Sequence, residues 1–431
     1  MKSTTELIIT CFVIILVCCK QEETHLPLPV ITVTAPSGSH SYNYLDTVTI
    51  VAEISNQRSI DYVRVAMNNE YSSPVLPVQT FYPAGNHYSL KTFMVFDDPL
   101  AESGRYSLNI EAGAGSAVSD KWVNVNYASM PVKLESLIVL TRGTGSVFRV
   151  MTVLPDNVVH ERFSFSGDHT GSVLNSRNQL LYTAGSIFNG LIAWKLENNS
   201  VHWSVPAVPI PPLPYFTAVY GDNSDVYVST RDALVNGYSA SGINTFRSKQ
   251  YSNGYFSCML RHESWLIAVF EPFNSQFSEM IIFNHPGGTV FRSLQFKGSA
   301  AGLSDYGNQG ILLFVNDDTG SKVYNYNFEL SNLVKIKDFS QGSILTLTVP
   351  DRENAFIAFS DGIHWYRPDI ASIVKVLQTE DVADLAFEPL TGILYVASEN
   401  RIESFLFPAF EPAETYYLTD NIEDLHLHYN K

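Results

Sequence analysis

Seven short apolar runs recur through the C-terminal two thirds of the chain, and their spacing limits the fold more than any other feature. They are Leu137-Ile138-Val139-Leu140-Thr141, Leu180-Leu181-Tyr182-Thr183-Ala184, Val226-Tyr227-Val228-Ser229-Thr230 and Leu266-Ile267-Ala268-Val269-Phe270, then Ile311-Leu312-Leu313-Phe314-Val315, Phe356-Ile357-Ala358-Phe359-Ser360 and Ile393-Leu394-Tyr395-Val396-Ala397. The interval, roughly 40 to 46 residues, is the period of a solenoid, propeller or array. A turn and a second strand follow each run, as in Gly190-Leu191-Ile192-Ala193-Trp194 and Lys322-Val323-Tyr324-Asn325-Tyr326. Four short strands per unit and no helical stripe describe a propeller blade.

Six units open on a small-residue inner strand, near Ser172, Phe216, Phe256, Ala301, Ile344 and Val382, whereas the first begins directly at Leu137. Residues Ile422 to Tyr429 can supply the missing strand, which predicts a seven-bladed β-propeller over 132–431 closed by pairing its two ends, so that no sheet edge stays open.

Upstream, period-two alternation puts Val48, Ile50, Ala52 and Ile54 on one face, then Val63, Val65 and Met67, Tyr106, Leu108, Ile110 and Ala112, and Val123 and Val125. Such alternation over about 100 residues predicts a β-sandwich across 30–127. The stretch Glu102-Ser103-Gly104-Arg105-Tyr106 is similar to the immunoglobulin-fold signature that opens strand F, with Leu108 where an antibody domain has its second cysteine. The resemblance implies a disulfide-free immunoglobulin-like or PKD-like domain, with Ala128-Ser129-Met130-Pro131 as hinge. The fold class expected for the whole chain is all-β.

At the N-terminus an apolar run from Leu7 ends in Leu16-Val17-Cys18-Cys19, followed by Lys20-Gln21-Glu22-Glu23. Thirteen residues make a signal-peptide core rather than a membrane span. The four residues resemble a bacterial lipobox, and Lys-Gln-Glu-Glu looks like the acidic export tag of Bacteroidota surface lipoproteins. The resemblance implies that residues 1–19 are a signal segment, that Cys19 carries the lipid, that 20–29 are a tether, and that the protein lies on the outer face of the outer membrane. An ordinary secretory signal or an uncleaved anchor are the alternatives, giving a secreted or periplasmic protein.

Of four cysteines, only Cys258 lies outside this segment, so no intramolecular disulfide is available and stability must come from burial. Tyr255-Phe256-Ser257-Cys258-Met259-Leu260 reads as a buried apolar strand rather than a nucleophile's setting. A net charge of −16 argues against nucleic acid or an anionic membrane surface as partner. Membrane contact is expected through the lipid alone.

No metalloprotease helix, serine elbow, phosphate loop, dinucleotide fingerprint or calcium loop is present, so no catalytic residue and no cofactor is expected. Ser360-Asp361-Gly362-Ile363-His364-Trp365 resembles the sialidase Asp-box; the plainer reading is an Asp-Gly hairpin turn. Asp424, His426 and His428 share one face of a strand and are chemically competent metal ligands, set against polar lining of a central channel. The prolines between Pro206 and Pro214 fit an outer edge strand. Asp46-Thr47-Val48 resembles the Bacteroidota O-glycosylation acceptor.

Aromatic and polar loops gather on one rim: Asp168 and His169, Phe188, Arg231, and Phe273, Gln276 and Phe277. Rings beside amides and carboxylates suit sugar or peptide capture. The expected function is a non-catalytic surface module binding an extracellular glycan or protein; the resemblance adds a nutrient-capture complex with an outer-membrane transporter. The alternatives are a polysaccharide hydrolase or lyase using channel carboxylates such as Asp384 and Asp424, and a structural subunit docked on another envelope protein.

Overall fold

The computed structural model describes residues 27–38, 40–185, 189–208, 215–222 and 224–431, which form two compact units, Met1–Pro131 and Val132–Lys431. Cys19 and its flanks therefore lie outside the described residues. Among the described residues no helix is long and apolar enough to cross a membrane.

In the first unit a three-stranded sheet runs Val30–Ala35, Thr47–Ser55, His87–Val95. A five-stranded sheet runs His40–Asn43, Ala117–Ala128, Gly104–Ala114, Tyr62–Asn68, Gln79–Phe81, and its first pair is parallel. Alternation does what the period requires: Val48, Ile50, Ala52 and Ile54 are buried with Val63, Val65 and Met67 and with Leu108, Ile110, Ala112 and Val125, while Val123 is only partly covered. Phe96 stacks on Tyr127 at 4.3 Å, and Tyr106 meets both rings edge-on. The Tyr106 hydroxyl donates to the Glu102 carbonyl at 2.7 Å, so its polar end is satisfied where its ring is buried.

The second unit consists, among the described residues, of seven four-stranded antiparallel sheets. Six take their strands in chain order, with inner strands Gly171–Asn175, Phe216–Gly221, Gly254–His262, Ser299–Asp305, Thr346–Thr348 and Val382–Glu388. The remaining sheet, called the first here, has Asn421–Tyr429 paired with Leu134–Arg142, then Val147–Val153 and Val159–Ser166. Successive inner strands adjoin one another, and Asn421–Tyr429 adjoins both Val382–Glu388 and Gly171–Asn175, so the succession returns on itself.

The second strand of each sheet lies between two neighbouring sheets and is apolar on both faces, which is why these runs do not alternate: Leu180–Ala184 and Ala355–Phe359 are buried throughout. Outer strands such as Ser200–Val205 are largely exposed. Five inner strands carry the same defect, a register shift one residue wide, at Phe216/Ala218, Phe256/Cys258, Ala300/Gly302, Val382/Asp384 and Ile422/Asp424. A bulge re-aims the side chains beside it, and here it recurs at corresponding positions of the inner strands.

Deleting residues 422–431 removes the strand that pairs Leu134–Arg142 and the Leu425 and Ile422 side chains from the core shared by the first and seventh sheets. The expected outcome is loss of the cooperative thermal transition of the second unit, followed by near-UV circular dichroism; a soluble truncation with a wild-type transition contradicts it.

Candidate functional site

Two places collect the chemistry. The first lies on the inner strands. The repeat reads Phe216-Thr-Ala-Val, Phe256-Ser-Cys-Met and Ala300-Ala-Gly-Leu in three sheets but Val382-Ala-Asp384-Leu in the seventh and Ile422-Glu-Asp424-Leu in the first, so only there is the residue after the bulge an acid. Asp384 accepts from the backbone N–H of Leu385 at 2.8 Å and, across to the next inner strand, from that of Leu425 at 2.9 Å. Asp424 in turn reaches the following sheet: its Oδ2 accepts from His169 Nε2 at 2.8 Å and from the Ser172 hydroxyl. Ser172 Oγ also lies 2.7 Å from His426 Nε2. Ser172 has one proton, and with it on Asp424 the His426 ring must donate through Nε2, leaving its Nδ1 lone pair free.

The two carboxyls are driven apart. Burial, reinforced by the charge of Asp424, pushes Asp384 from 3.8 up to about 7 despite its N–H donors. Burial would raise Asp424 as well, but the His169 bond, the two imidazoles and Ser172 outweigh it and hold it below the usual carboxylate range. Burial lowers His426, against the pull of Asp424. A protonatable carboxyl beside an ionised one and a neutral imidazole is the environment split from which acid–base pairs are built.

His428 does not join this cluster. Its Nδ1 lies 3.0 Å from Ser136 Oγ and its Nε2 2.7 Å from Gln179 Oε1, so neither nitrogen is left to hold an ion. The structure therefore divides Asp424, His426 and His428 between two surroundings, and among the described residues no set of three His, Cys, Asp or Glu side chains converges as metal ligands.

The second place is a pocket of about 520 Å³ on the rim, between the fourth and fifth sheets. The loop from Glu271 to Gln276 forms one wall, the crossing Lys297–Ser299 the floor, and Asn316 to Asp318 the other wall. Gly298 makes this crossing at φ +108°, where a Cβ would stand 2.3 Å from the Asn316 carbonyl, so no other residue fits without shifting the wall. Arg231 lies over the Phe273 ring at 4.6 Å and the Tyr255 ring at 5.0 Å, and among the described residues it has no ion pair. Phe273 is thereby fixed yet still 37% exposed, and Phe277 is 46% exposed at the start of its strand. Arg231, Phe273 and Gln276 thus come together; His169 lies instead against Asp424 of the inner strands, Asp168 accepts from Asn189 beside the Gly185 turn of its own sheet, and Phe188 is outside the described residues.

Charged groups lining the pocket are engaged within the protein. Glu271 accepts from the Tyr255 hydroxyl and the Ala300 N–H, both at 3.1 Å. Asp318 pairs with Lys297 at 2.9 Å. Asp317 pairs with Lys322 and accepts from Thr319; these bonds overcome its burial and bring it down to about 2. The side chains of Asn274, Gln276 and Ser299 hold no hydrogen bond among the described residues. Elsewhere, Asp361 closes its hairpin by bonding His364 at 3.0 Å, and burial pushes the Cys258 thiol up to about 12, which fits a packing role.

Comparison with known proteins bears on the fold alone. No protein-family model matches the chain, and no curated protein matches it. Among solved structures it is similar to a quinonprotein alcohol dehydrogenase-like protein from Bacteroides thetaiotaomicron, at 11% identity and a TM-score of 0.50, over 94% of this chain and 100% of that one. The computationally designed Ika8 protein aligns at 10% identity and a TM-score of 0.49, over 68% of this chain and 90% of that one. The chain is thus an all-β protein with a propeller-like fold.

The folded protein keeps the Asp384 proton to about pH 7, whereas the unfolded chain releases it near 3.8. The folded state holds the extra proton between those values, so this group's contribution to stability falls as pH rises through that window and levels off above it. About three pH units at ~1.4 kcal/mol each sets a ceiling of roughly 4 kcal/mol. Urea unfolding of Asp384→Asn, compared with wild type from pH 4.5 to 8, is expected to show the variant gaining relative stability as pH rises; parallel curves exclude a buried ionisation here.

Proposed function

We propose that the chain is a surface lipoprotein of the Bacteroidota type: lipid on Cys19, an immunoglobulin-like spacer, and a seven-bladed β-propeller, closed by its C-terminal strand, that captures a neutral extracellular glycan beside an outer-membrane transporter. The lipobox-like residues and the acidic run after Cys19 carry the address. Two facing sheets and the Tyr106–Glu102 bond, a tyrosine corner, support the immunoglobulin-like assignment. The seven sheets and the pairing of Asn421–Tyr429 with Leu134–Arg142 support the closed ring.

One observation carries the ligand class. The rim pocket offers a half-exposed Phe273 ring and unpartnered amides of Asn274 and Gln276, while its carboxylates are already paired or accepting. A ring face takes the C–H surface of a sugar and free amides read hydroxyls. A cationic ligand would have to displace Lys297 or Lys322 from its carboxylate, at a cost in desolvation a neutral one avoids, and an anionic one would face Glu271, Asp317 and Asp318.

A glycan array probed with the chain from Gln21 onward, with reducing ends assayed in the same wells, tests this. Saturable binding to neutral glycans, insensitive to salt and without new reducing ends, is expected. Asn274→Ala with Gln276→Ala should weaken it at least about tenfold, the equivalent of ~1.4 kcal/mol, at an unchanged melting temperature. Binding confined to acidic glycans, or unaffected by the double variant, overturns the reading.

The split carboxyl pair favours a second reading, a glycan hydrolase or lyase working at the inner strands. On that reading Asp384 in its protonated form is the acid, and Asp424 with His426 is the base side. Release of product by wild type that disappears in both Asp384→Asn and Asp424→Asn would establish it; release unchanged in both assigns the activity elsewhere.

A further inference from the structure

Where the first and seventh sheets meet, a second cavity of about 540 Å³ opens at the opposite rim from the glycan pocket. The two rims follow from the topology. Antiparallel strands put the turns joining first to second strands, such as Glu388–Ile393, at the other end of the sheets from the second-to-third loops that wall the glycan pocket. The walls are Leu137, Val153, Leu154 and Ile393 with the rings of Tyr395 and Tyr416, and all of them lie in the second unit.

The polar groups around it are nearly all spoken for. Ser136 bonds His428 at 3.0 Å, and Ser404 both donates to and accepts from the Glu414 backbone. Glu388, fully buried, accepts from the N–H groups of Leu390 and Thr391, the Thr391 hydroxyl and the Tyr429 hydroxyl. Tyr416 donates to Glu414. Lys133 also lines the cavity, exposed and with no ion pair among the described residues; among the buried polar groups Tyr395 is the exception. It is 6% exposed, it lines the cavity, and its hydroxyl has no hydrogen bond among the described residues. Nor is that oxygen sealed in protein, as those of Tyr182, Tyr326 and Tyr366 are; it opens on the cavity. A buried phenol ordinarily finds a partner.

We propose that this cavity is a binding site for a neutral, apolar small molecule with one polar head, which hydrogen-bonds the Tyr395 hydroxyl. Its volume and its apolar walls around few polar atoms are those of small-molecule sites. Burial, with Glu388 and Glu414 adding, pushes the Tyr395 phenol up to about 12, so it stays a donor at physiological pH. The same two carboxylates are the charges felt at the Tyr395 hydroxyl and disfavour an anionic head there, whereas the Lys133 ammonium is exposed. This site is independent of the rim pocket and of the glycan reading.

Pyrene derivatives make suitable fluorescent probes of the purified chain: 1-pyrenemethanol for a neutral head, pyrene-1-carboxylate for an anion, and pyrene for no head. Saturable binding of 1-pyrenemethanol is expected, about tenfold tighter than either of the others, since one buried hydrogen bond is worth roughly that factor. Tyr395→Phe should bring 1-pyrenemethanol down to the level of pyrene and leave pyrene itself unchanged. Ala413→Trp, at the lining, should block both neutral probes. Failure of the wild type to bind neutral probes saturably overturns the proposal. So does a preference for the carboxylate, or equal binding of 1-pyrenemethanol by Tyr395→Phe. Should Ala413→Trp fail to fold, the Tyr395→Phe comparison alone decides.

Discussion

The second unit depends on one pairing made across nearly its whole length: Asn421–Tyr429 against Leu134–Arg142. Without it Leu134–Arg142 would be an open edge whose side chains Leu137, Ile138, Val139 and Leu140 are now buried. The strand also brings Ile422 and Leu425 into a core that joins Leu137, Val139 and Val153 of the first sheet to Tyr395, Ala397, Ile402 and Tyr416 of the seventh. Polar bonds set its position along the seam. Arg142 pairs with Glu423 at 2.7 Å, Gln179 and Ser176 hold the backbone of Tyr429, and the Tyr429 hydroxyl reaches Glu388. An apolar core tolerates sliding by two residues in a strand of period two; these directional bonds do not.

The same strand brings the axial groups together. Asp384 bonds the N–H of Leu425 on it, and Asp424 leaves it to meet His169 and Ser172 on the next sheet. Each carboxylate thus ties one inner strand to its successor. The cost is two acidic groups close enough to perturb each other, and the protein meets it unequally, with partners for Asp424 and a retained proton for Asp384. The joining of successive inner strands and acid–base character therefore share their residues, and a substitution here must be judged by the pH dependence of its effect.

The strands were legible because second strands sandwiched between sheets need unbroken apolar runs, and seven such runs stand out in a chain only 16% charged. The strands of the first unit were legible from Val48 to Ile54 and Tyr106 to Ala112 because one face of each sheet is buried. Site composition was harder to read. Phe273, Gln276 and Arg231 could be placed on one rim from loop order, but that Glu271, Asp317 and Asp318 are internally paired depends on cross-strand geometry no spacing encodes. Asp424, His426 and His428 have the spacing of ligands on one face. They keep one unbroken register along the strand, and what separates them is their partners: His169 and Ser172 gather Asp424 and His426, while Ser136 and Gln179 engage both ring nitrogens of His428. A signal for the axial pair did exist in the repeat itself: aligned on their bulges, Val382-Ala-Asp-Leu and Ile422-Glu-Asp-Leu alone place an acid where the other units have Ala, Cys or Gly.

Tyrosines at one repeated position show how a shared scaffold diverges in function. Tyr182, Tyr227 and Tyr395 each occupy the third position of their second strand, Leu180–Ala184, Asp225–Thr230 and Ile393–Ser398, and each faces a small residue on the third strand: Ala193, Gly237 and Ser404. The small partner is required, since a Cβ on Gly237 would stand 2.9 Å from the Tyr227 ring. What differs is the end of the ring. Tyr227 finds His285 at 2.9 Å, Tyr182 ends sealed without a partner, and Tyr395 ends at a cavity. A sealed hydroxyl costs stability with nothing gained, whereas an open one can recover that cost when a ligand supplies the bond. The third case arises at the seam between the first and seventh sheets, because there two distant parts of the chain, rather than consecutive repeats, must pack against each other, and their fit leaves a cavity.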